Sequence, residues 1–207
     1  MDVKIVSRPL GMWQTNFYVL ANEETKEAVV IDPGYGEEEI VRLIQPYQVK
    51  AILLTHAHLD HIGGVAKTKE LTGAPIYIHE SVQDWLTNPA LNMSLGYGQP
   101  IDGPAADELL QDGRRLQLAG FDIEVRHTPG HTPGCVSFVL DGVVFAGDTL
   151  FQGSIGRTDF PGGDFEQLAS SIREKLYTLP DDTIVYPGHG PATTIGVEKR
   201  YNPFVRA

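Results

Sequence analysis

The feature that most constrains this chain is a cluster of metal-ligand side chains at the end of an apolar run. Residues 49–54 read as a buried strand, and His56, His58, Asp60 and His61 follow it closely. Where a strand ends in a loop and the chain continues as a helix, side chains before and after the loop point in different directions. His56 with His58, and Asp60 with His61, can therefore serve two neighbouring ions. Such crowding of imidazole and carboxylate groups costs desolvation that a bound cation relieves. The cluster therefore predicts a metal site.

Length and charge narrow the class of protein. A chain of 207 residues with 42% hydrophobic content can bury a substantial core, which predicts one compact domain over residues 1–207. The net charge of −11, with scattered basic residues, argues against nucleic-acid and anionic-membrane partners. Cys135 is the single cysteine, and neither an apolar leader nor a membrane-length apolar run is present, so a soluble cytoplasmic protein is expected. The oligomeric state is left open.

Periodicity and turn signals predict two β-rich halves, each with helices. The predicted strands are 3–10, 16–20, 27–31, 49–54, 75–78, 115–118, 121–126, 135–140, 143–146 and 183–186. The predicted helices are 37–47, 62–71, 81–86, 164–179 and 194–201, and residues 88–107 read as a long loop over a pocket. Two sheets that each need helical cover indicate an α/β (α+β) fold arranged as a four-layer αββα sandwich.

Further potential ligands lie between Gly and Pro residues at strand ends. They are His131, Asp148 and His189. Gly and Pro permit sharp turns that aim a short side chain inward from a rigid sheet. Each turn alone is unremarkable in a globular protein, but together with the first cluster they indicate a ligand set. Asp32, in Asp-Pro-Gly at another strand end, is a candidate partner for a ligand, although it also fits an ordinary turn.

Taken in order, these motifs resemble the metallo-β-lactamase superfamily over nearly the whole chain. The matching residues are Asp32-Pro33-Gly34, the His56 to His61 cluster, His131, Asp148 and His189. Residues 150–160 and the ending from His189 to Phe204 are similar to the short bacterial glyoxalase II-like (hydroxyacylglutathione hydrolase-like) members. The fold that this resemblance implies is the αββα metallo-β-lactamase sandwich.

The resemblance also implies two divalent transition-metal ions. His56, His58 and His131 would hold one ion, Asp60, His61 and His189 the other, and Asp148 would bridge them. Zinc is favoured, and iron or manganese would accept the same mixed ligands. The implied activity is hydrolysis of a small-molecule thioester of the S-lactoylglutathione type by a metal-bound hydroxide, with Asp60 as the catalytic residue that orients it. The leaving thiolate needs no strong acid.

The thiol end of the substrate is where the chain departs from this resemblance. Arg157 matches a glutathione-binding basic residue and could bind a substrate carboxylate, or could instead pair with Asp159 and stabilise its own loop. Asp159 stands where the longer enzymes carry a tyrosine. Only Gly190–Ala207 follow the last ligand, where full-length glyoxalase II has a helical domain. Loose demands on the thiol are therefore expected.

Other functions remain open at this point. A persulfide dioxygenase of the same fold would use a single iron held by His56, His131 and Asp148. A non-catalytic metal-binding module would bind metal without turnover. A β-lactamase is disfavoured because Asp148 stands where many such enzymes have a cysteine ligand, and a nuclease is disfavoured by the acidic charge.

Several aromatic and nucleophilic residues are not assigned to the ligand set. His79 and His127 are expected to have structural or outer positioning roles, and Cys135 is expected to be a small buried residue. Trp13, Trp85 and Tyr97 fit either a pocket wall or ordinary packing.

Overall fold

The computed structural model describes residues 2–207. Met1, the first residue of the predicted domain, lies outside the described residues. The chain divides into two compact units: the first extends to Leu110 and includes Gln117–Phe121, and the second comprises Gln111–Leu116 and Asp122–Ala207. Within residues 2–207, no helix has the length and apolarity needed to cross a membrane.

The first unit contains a six-stranded sheet whose strands pair in chain order. Its strands are β1 (Val3–Leu10), β2 (Thr15–Asn22), β3 (Glu27–Ile31), β4 (Gln48–Leu53), β5 (Ile76–His79) and β6 (Glu108–Leu110). The first three form an antiparallel meander, and β3 to β6 run parallel. Asn22 shapes the turn after β2, because its side-chain oxygen accepts hydrogen bonds from the backbone of Glu24 and Thr25.

Helices cover one face of this sheet. They are α1 (Glu37–Ile44), α2 (Leu59–Ile62) and α3 (Val65–Thr72), with 3₁₀ helices at Glu80–Thr87 and Ser94–Tyr97. Helix α1 has acids in its first turn and Arg42 in its last, which suits the helix dipole. Its buried Ile40 and Ile44 join the apolar cluster of the sheet. Helix α3 ends at Gly73, whose φ of 66° is the left-handed conformation that glycine adopts readily.

The second unit contains most of the other large sheet. The strands of this sheet are β7 (Arg115–Leu118), β8 (Phe121–His127), β9 (Val136–Leu140), β10 (Val143–Gly147), β13 (Ile184–Pro187) and β14 (Thr193–Thr194), in the order β14-β13-β10-β9-β8-β7. A small hairpin consists of β11 (Leu150–Phe151) and β12 (Ser154–Ile155). Helix α4 (Phe165–Ser171), a π-helical turn (Ile172–Leu176) and helix α5 (Ile195–Tyr201) complete the unit. Leu168, Ile172 and Leu176 pack in one apolar cluster with Val144 and Val185.

The helix predicted over 37–47 ends at Ile44, and the one predicted over 81–86 is a 3₁₀ helix over Glu80–Thr87. Two other predicted helices differ more. The helix predicted from residue 62 is interrupted, because Gly64 passes close to the Pro33-Gly34 turn: a Cβ on Gly64 would lie 2.5 Å from the Gly34 carbonyl oxygen, and its N–H donates to Pro33. The helix predicted over 164–179 begins after Asp164, which caps it, and changes to π geometry from Ile172. Strands β6, β11, β12 and β14 were missed, since segments of two or three residues show no resolvable periodicity.

Candidate metal centre

The first unit carries four of the predicted ligands at the carboxyl end of β4. His56 and His58 lie in the loop after the strand, and Asp60 and His61 lie on α2. All three histidines are buried, whereas Asp60 is partly exposed. The ring centroids of His56 and His58 are 4.9 Å apart, and those of His56 and His61 are 4.1 Å apart. The ligand atoms of Asp60 and His61 lie within 4.8 Å of each other. This group therefore has the donor types and spacing of a metal-binding cluster.

Asp32 is the buried anchor of this cluster. Its Oδ1 accepts a hydrogen bond from the Thr55 backbone N–H at 2.8 Å. Its Oδ2 accepts two more, from the Thr55 hydroxyl at 2.6 Å and from Nδ1 of His61 at 2.8 Å. Asp32 has a φ of 51°, an uncommon conformation that Asp tolerates better than most residues. Because a carboxylate can only accept, the proton of His61 is on Nδ1, and Nε2 keeps the lone pair that binds a metal.

Thr55 extends the same control to a second ligand. Its hydroxyl proton is donated to Asp32, so its oxygen can accept a hydrogen bond from Nδ1 of His56, 3.1 Å away. This bond leaves Nε2 of His56 as the metal-binding nitrogen. One carboxylate therefore sets the tautomer of His61 directly and that of His56 through a hydroxyl.

Asp60 is positioned from a different strand. The hydroxyl of Thr15, at the start of β2, donates to Oδ2 of Asp60 at 2.9 Å, and Nε2 of His61 lies 3.4 Å from the same oxygen. Tyr35 lies nearby, and burial together with the Asp60 charge raises the pKa of its hydroxyl. Neither Thr15 nor Tyr35 was identified from the sequence, which holds no local signal that links them to Asp60.

The second unit brings together the other three predicted ligands. Strands β10 and β13 are parallel and place Gly147 opposite Pro187, so Asp148 and His189 follow at the same sheet edge. One carboxylate oxygen of Asp148, Oδ2, lies 3.4 Å from Nε2 of His131 and 3.5 Å from Nε2 of His189. His131 and Asp148 are buried, and His189 is partly exposed. A carboxylate flanked by two imidazoles can share its oxygens between two cations.

The loop after Asp148 orients His131. Nδ1 of His131 donates to the Arg157 carbonyl oxygen at 2.8 Å, which again leaves Nε2 for a metal. The loop must pass close to Asp148, because a Cβ on Gly156 would lie only 1.8 Å from the Asp148 carbonyl oxygen. Glycine is therefore required at this position.

Helix α5 holds the β11–β12 hairpin in that loop. The buried Glu198 accepts hydrogen bonds from the Gly153 N–H at 3.0 Å, from the Thr193 hydroxyl at 2.7 Å and from the Asn202 side chain at 2.9 Å. Asn202 also donates to the Ser154 carbonyl at 3.0 Å. The sequence showed Asn202 only as part of a motif in the tail, and Glu198 was missed because a lone Glu on a helix is normally solvated.

Arg157 is already engaged within its own loop. Its guanidinium forms two hydrogen bonds of 2.7 Å with Asp159 and lies 3.8 Å from the centre of the Phe160 ring. The bidentate bond from Arg157 lowers the pKa of Asp159 to about 2. Of the two roles open for Arg157, this geometry favours loop stabilisation.

The remaining candidates have structural contacts. Nδ1 of His79 accepts from the Ser81 N–H and caps a 3₁₀ helix, and Nε2 of His127 lies 2.9 Å from the Pro133 carbonyl oxygen. Cys135 is buried as predicted, with its sulfur 3.1 Å from the Thr132 hydroxyl. Trp85 contacts the ring of His58 at 5.8 Å.

The two His/Asp clusters at strand ends define the chain as a metal-binding α/β protein of the metallo-hydrolase type. It belongs to the metallo-β-lactamase superfamily, whose family model matches residues 10–189. The fold class and family predicted from the sequence are therefore confirmed.

Individual relatives support this membership over almost the full length. The chain is 42% identical to the hydroxyacylglutathione hydrolase GloC of Haemophilus influenzae, with 100% of this chain and 99% of that protein covered. Among solved structures, it matches the BLEG-1 B3 metallo-β-lactamase with a TM-score of 0.94 and 46% identity, covering 99% of this chain and 100% of the other. It matches TTHA1623 in a di-iron-bound form with a TM-score of 0.84 and 41% identity, covering 98% and 100%.

Proposed function

We propose that this protein is a binuclear metal-dependent hydrolase of thioesters of the S-lactoylglutathione type. The observation that carries the proposal is the pair of His/Asp clusters at strand ends, in a chain similar over its whole length to a protein named hydroxyacylglutathione hydrolase. The same similarity supports treating residues 1–207 as one metallo-β-lactamase-fold domain, since the matched range spans both units. We further propose a small-molecule substrate and a cytoplasmic location, which the use of a single cysteine favours.

The proposed ligand set follows the sequence resemblance. His56, His58 and His131 would hold one ion, Asp60, His61 and His189 would hold the other, and Asp148 would bind both. In support, Asp148 stands between two imidazoles in the second unit, and neutral imidazole with carboxylate is a donor set that suits zinc and iron. Zinc is the favoured metal, and a similar structure holds two irons.

The residues of the chain then supply orientation and proton control. Bound ions would provide Lewis acidity and activate a water molecule. Asp60, fixed by Thr15, is the residue that we propose orients the attacking water. Asp32 and the Arg157 carbonyl keep His61 and His131 in the tautomer with Nε2 available. A thiol has a pKa of about 8.5, so the leaving thiolate needs no acid from the protein.

Metal analysis and a matched pair of variants test this function. The purified protein, saturated with zinc, should bind about two ions per chain and hydrolyse S-lactoylglutathione. Asp148→Asn should lose at least one ion and nearly all turnover, because an amide cannot bridge two cations. Asp141→Asn, in the exposed turn before β10, is the control and should retain both. A single ion at saturation would refute the binuclear model, and oxygen uptake with glutathione persulfide would instead indicate a persulfide dioxygenase. Two bound ions without turnover would indicate the non-catalytic module.

Hydrolysis of a β-lactam is the second candidate, favoured by the similarity to a structure described as a B3 metallo-β-lactamase. The same metal-loaded protein should therefore be assayed with a chromogenic cephalosporin. A larger kcat/KM for the β-lactam than for every thioester tested would overturn the thioesterase proposal.

A further inference from the structure

Aromatic side chains from three loops of the first unit lie together. Trp13, between β1 and β2, lies 5.4 Å from Tyr35 and meets Tyr97 edge-on at 5.5 Å, measured between ring centroids. Tyr97, in the loop after β5, has 52% of its surface exposed, and its neighbour Leu95 has 61% exposed. Met12, beside Trp13, is 81% exposed. These five residues are called the aromatic patch below.

Two loops of the aromatic patch, those that carry Trp13 and Tyr97, are attached to the ligand cluster. Thr15, two positions after Trp13, donates to Asp60. In the loop that carries Tyr97, the Asn92 carbonyl oxygen accepts a hydrogen bond from the Leu59 N–H. Leu59 is the first residue of the helix that bears Asp60 and His61. Hydrogen bonds therefore connect each of these two loops to the segment that carries Asp60 and His61.

The two loops that carry Trp13 and Tyr97 offer no cation to glutathione. Residues 9–22 and 88–101 contain no charged side chain. Glutathione carries two carboxylates, which call for a nearby cation, and Arg157 already pairs bidentately with Asp159. A group that rests on Trp13, Tyr97 and Leu95 gains from leaving water only where it is apolar.

We propose that the aromatic patch binds the thiol portion of the substrate, and that this portion is an uncharged aryl or alkyl thiol. The inference rests on the proposed thioesterase function and specifies its substrate class. An edge-on aromatic pair accommodates a flat or branched apolar group, and it holds no cation that would pair with a carboxylate. The enzyme therefore favours thioesters whose leaving thiol is hydrophobic.

Turnover of two thioesters with the same acyl group tests this substrate class. The zinc-loaded enzyme should have a kcat/KM for the S-lactoyl thioester of benzyl mercaptan at least about tenfold above that for S-lactoylglutathione. Tyr97→Ala and Trp13→Ala should each remove most of this preference. Tyr201→Ala is the matched control, because Tyr201 on α5 is 71% exposed and lies outside the aromatic patch. Equal or higher kcat/KM for S-lactoylglutathione, or an unchanged preference in both patch variants, would overturn the proposal.

Binding of thioethers that cannot be hydrolysed separates the patch from the activity. Benzyl methyl sulfide should bind the protein in ligand-observed NMR, and S-methylglutathione should bind at least about tenfold more weakly. Tyr97→Ala should weaken the binding of benzyl methyl sulfide and leave that of S-methylglutathione unchanged. Turnover of both thioesters without this binding pattern refutes the patch while the hydrolase stands. Binding of the benzyl probe without turnover of any thioester refutes the hydrolase and leaves the apolar site. Concentration-dependent dimerisation lost in Tyr97→Ala would show that a second copy covers the patch, which also refutes the proposal.

Discussion

Replacing Asp32 by asparagine tests the link between the buried hydrogen bonds and metal binding. The amide has nearly the same shape, but one of its two acceptor oxygens becomes an NH₂ donor. If the remaining oxygen still accepts the hydrogen bond from the Thr55 N–H, the NH₂ group faces Nδ1 of His61. His61 must then give up the proton on Nδ1 and carry one on Nε2 instead. If the amide turns round, its NH₂ faces the buried Thr55 N–H. Each orientation therefore leaves a conflict between donors.

The size of the effect follows from these contacts. Loss of a carboxylate that orients a ligand typically lowers metal affinity about 10- to 100-fold, which corresponds to about 1.4 to 2.8 kcal/mol. A buried donor left without an acceptor would also lower the free energy of unfolding of the metal-free protein by about 1 to 3 kcal/mol. Both ions should be affected, because His56 depends on Asp32 through the Thr55 hydroxyl.

Competition with a chromophoric zinc chelator measures the affinity for both ions. Thr55→Val separates the two paths: it removes the hydroxyl next to His56 but leaves the bond between Asp32 and His61, so it should weaken one ion selectively. Asp141→Asn, at an exposed turn, controls for the loss of one negative charge. If Asp32→Asn retains both zinc affinities of the unmodified protein, the tautomer mechanism is wrong.

Further substitutions test the surroundings of the second cluster. Gly130→Ala should lower the free energy of unfolding, measured by denaturation, by at least about 3 kcal/mol, because the φ of Gly130 is 133° and the new Cβ would lie 2.3 Å from the Leu168 backbone nitrogen. Gly142 has a φ of 74° and open space around it, so Gly142→Ala should lower the same free energy by only about 1 kcal/mol. Glu198→Ala should lower the free energy of unfolding by about 3 to 5 kcal/mol, because three donors lose their acceptor. Glu198→Gln should lower it by less than half as much, and equal losses would contradict the hydrogen-bond account. Cys135→Ser should keep zinc and most turnover, and a metal-loaded but inactive variant would instead indicate covalent catalysis.

Local patterns account for much of what the sequence predicted about the fold. The bounds of β1, β3 and β7 are those predicted, since alternation and turn residues fall within each segment. The interruption between Ile62 and Val65 was not predictable, because it results from a contact with the Pro33-Gly34 turn far away in the chain.

The candidate site shows the same division. The residue types and strand-end positions of the ligands were visible in the sequence, and so was the division of the first cluster between two ions, whereas the assignment of His131, Asp148 and His189 came only from family resemblance. Thr15 escaped notice because the residue it serves, Asp60, lies 45 positions away. Glu198 reaches Gly153 across a similar separation of 45 positions. Side-chain contacts over such distances leave no periodic trace in a single sequence.

The sequential strand order of the first sheet has a kinetic consequence. Because β1 to β6 each pair only with their neighbours in the chain, every new pair forms between consecutive segments, and the entropy lost on closing each connection is modest. The sheet can therefore assemble in the order in which the ribosome delivers it. His56 to His61 are then in place while Asp148 and His189 are still unsynthesised, so a nascent chain already offers a partial ligand set to passing cations.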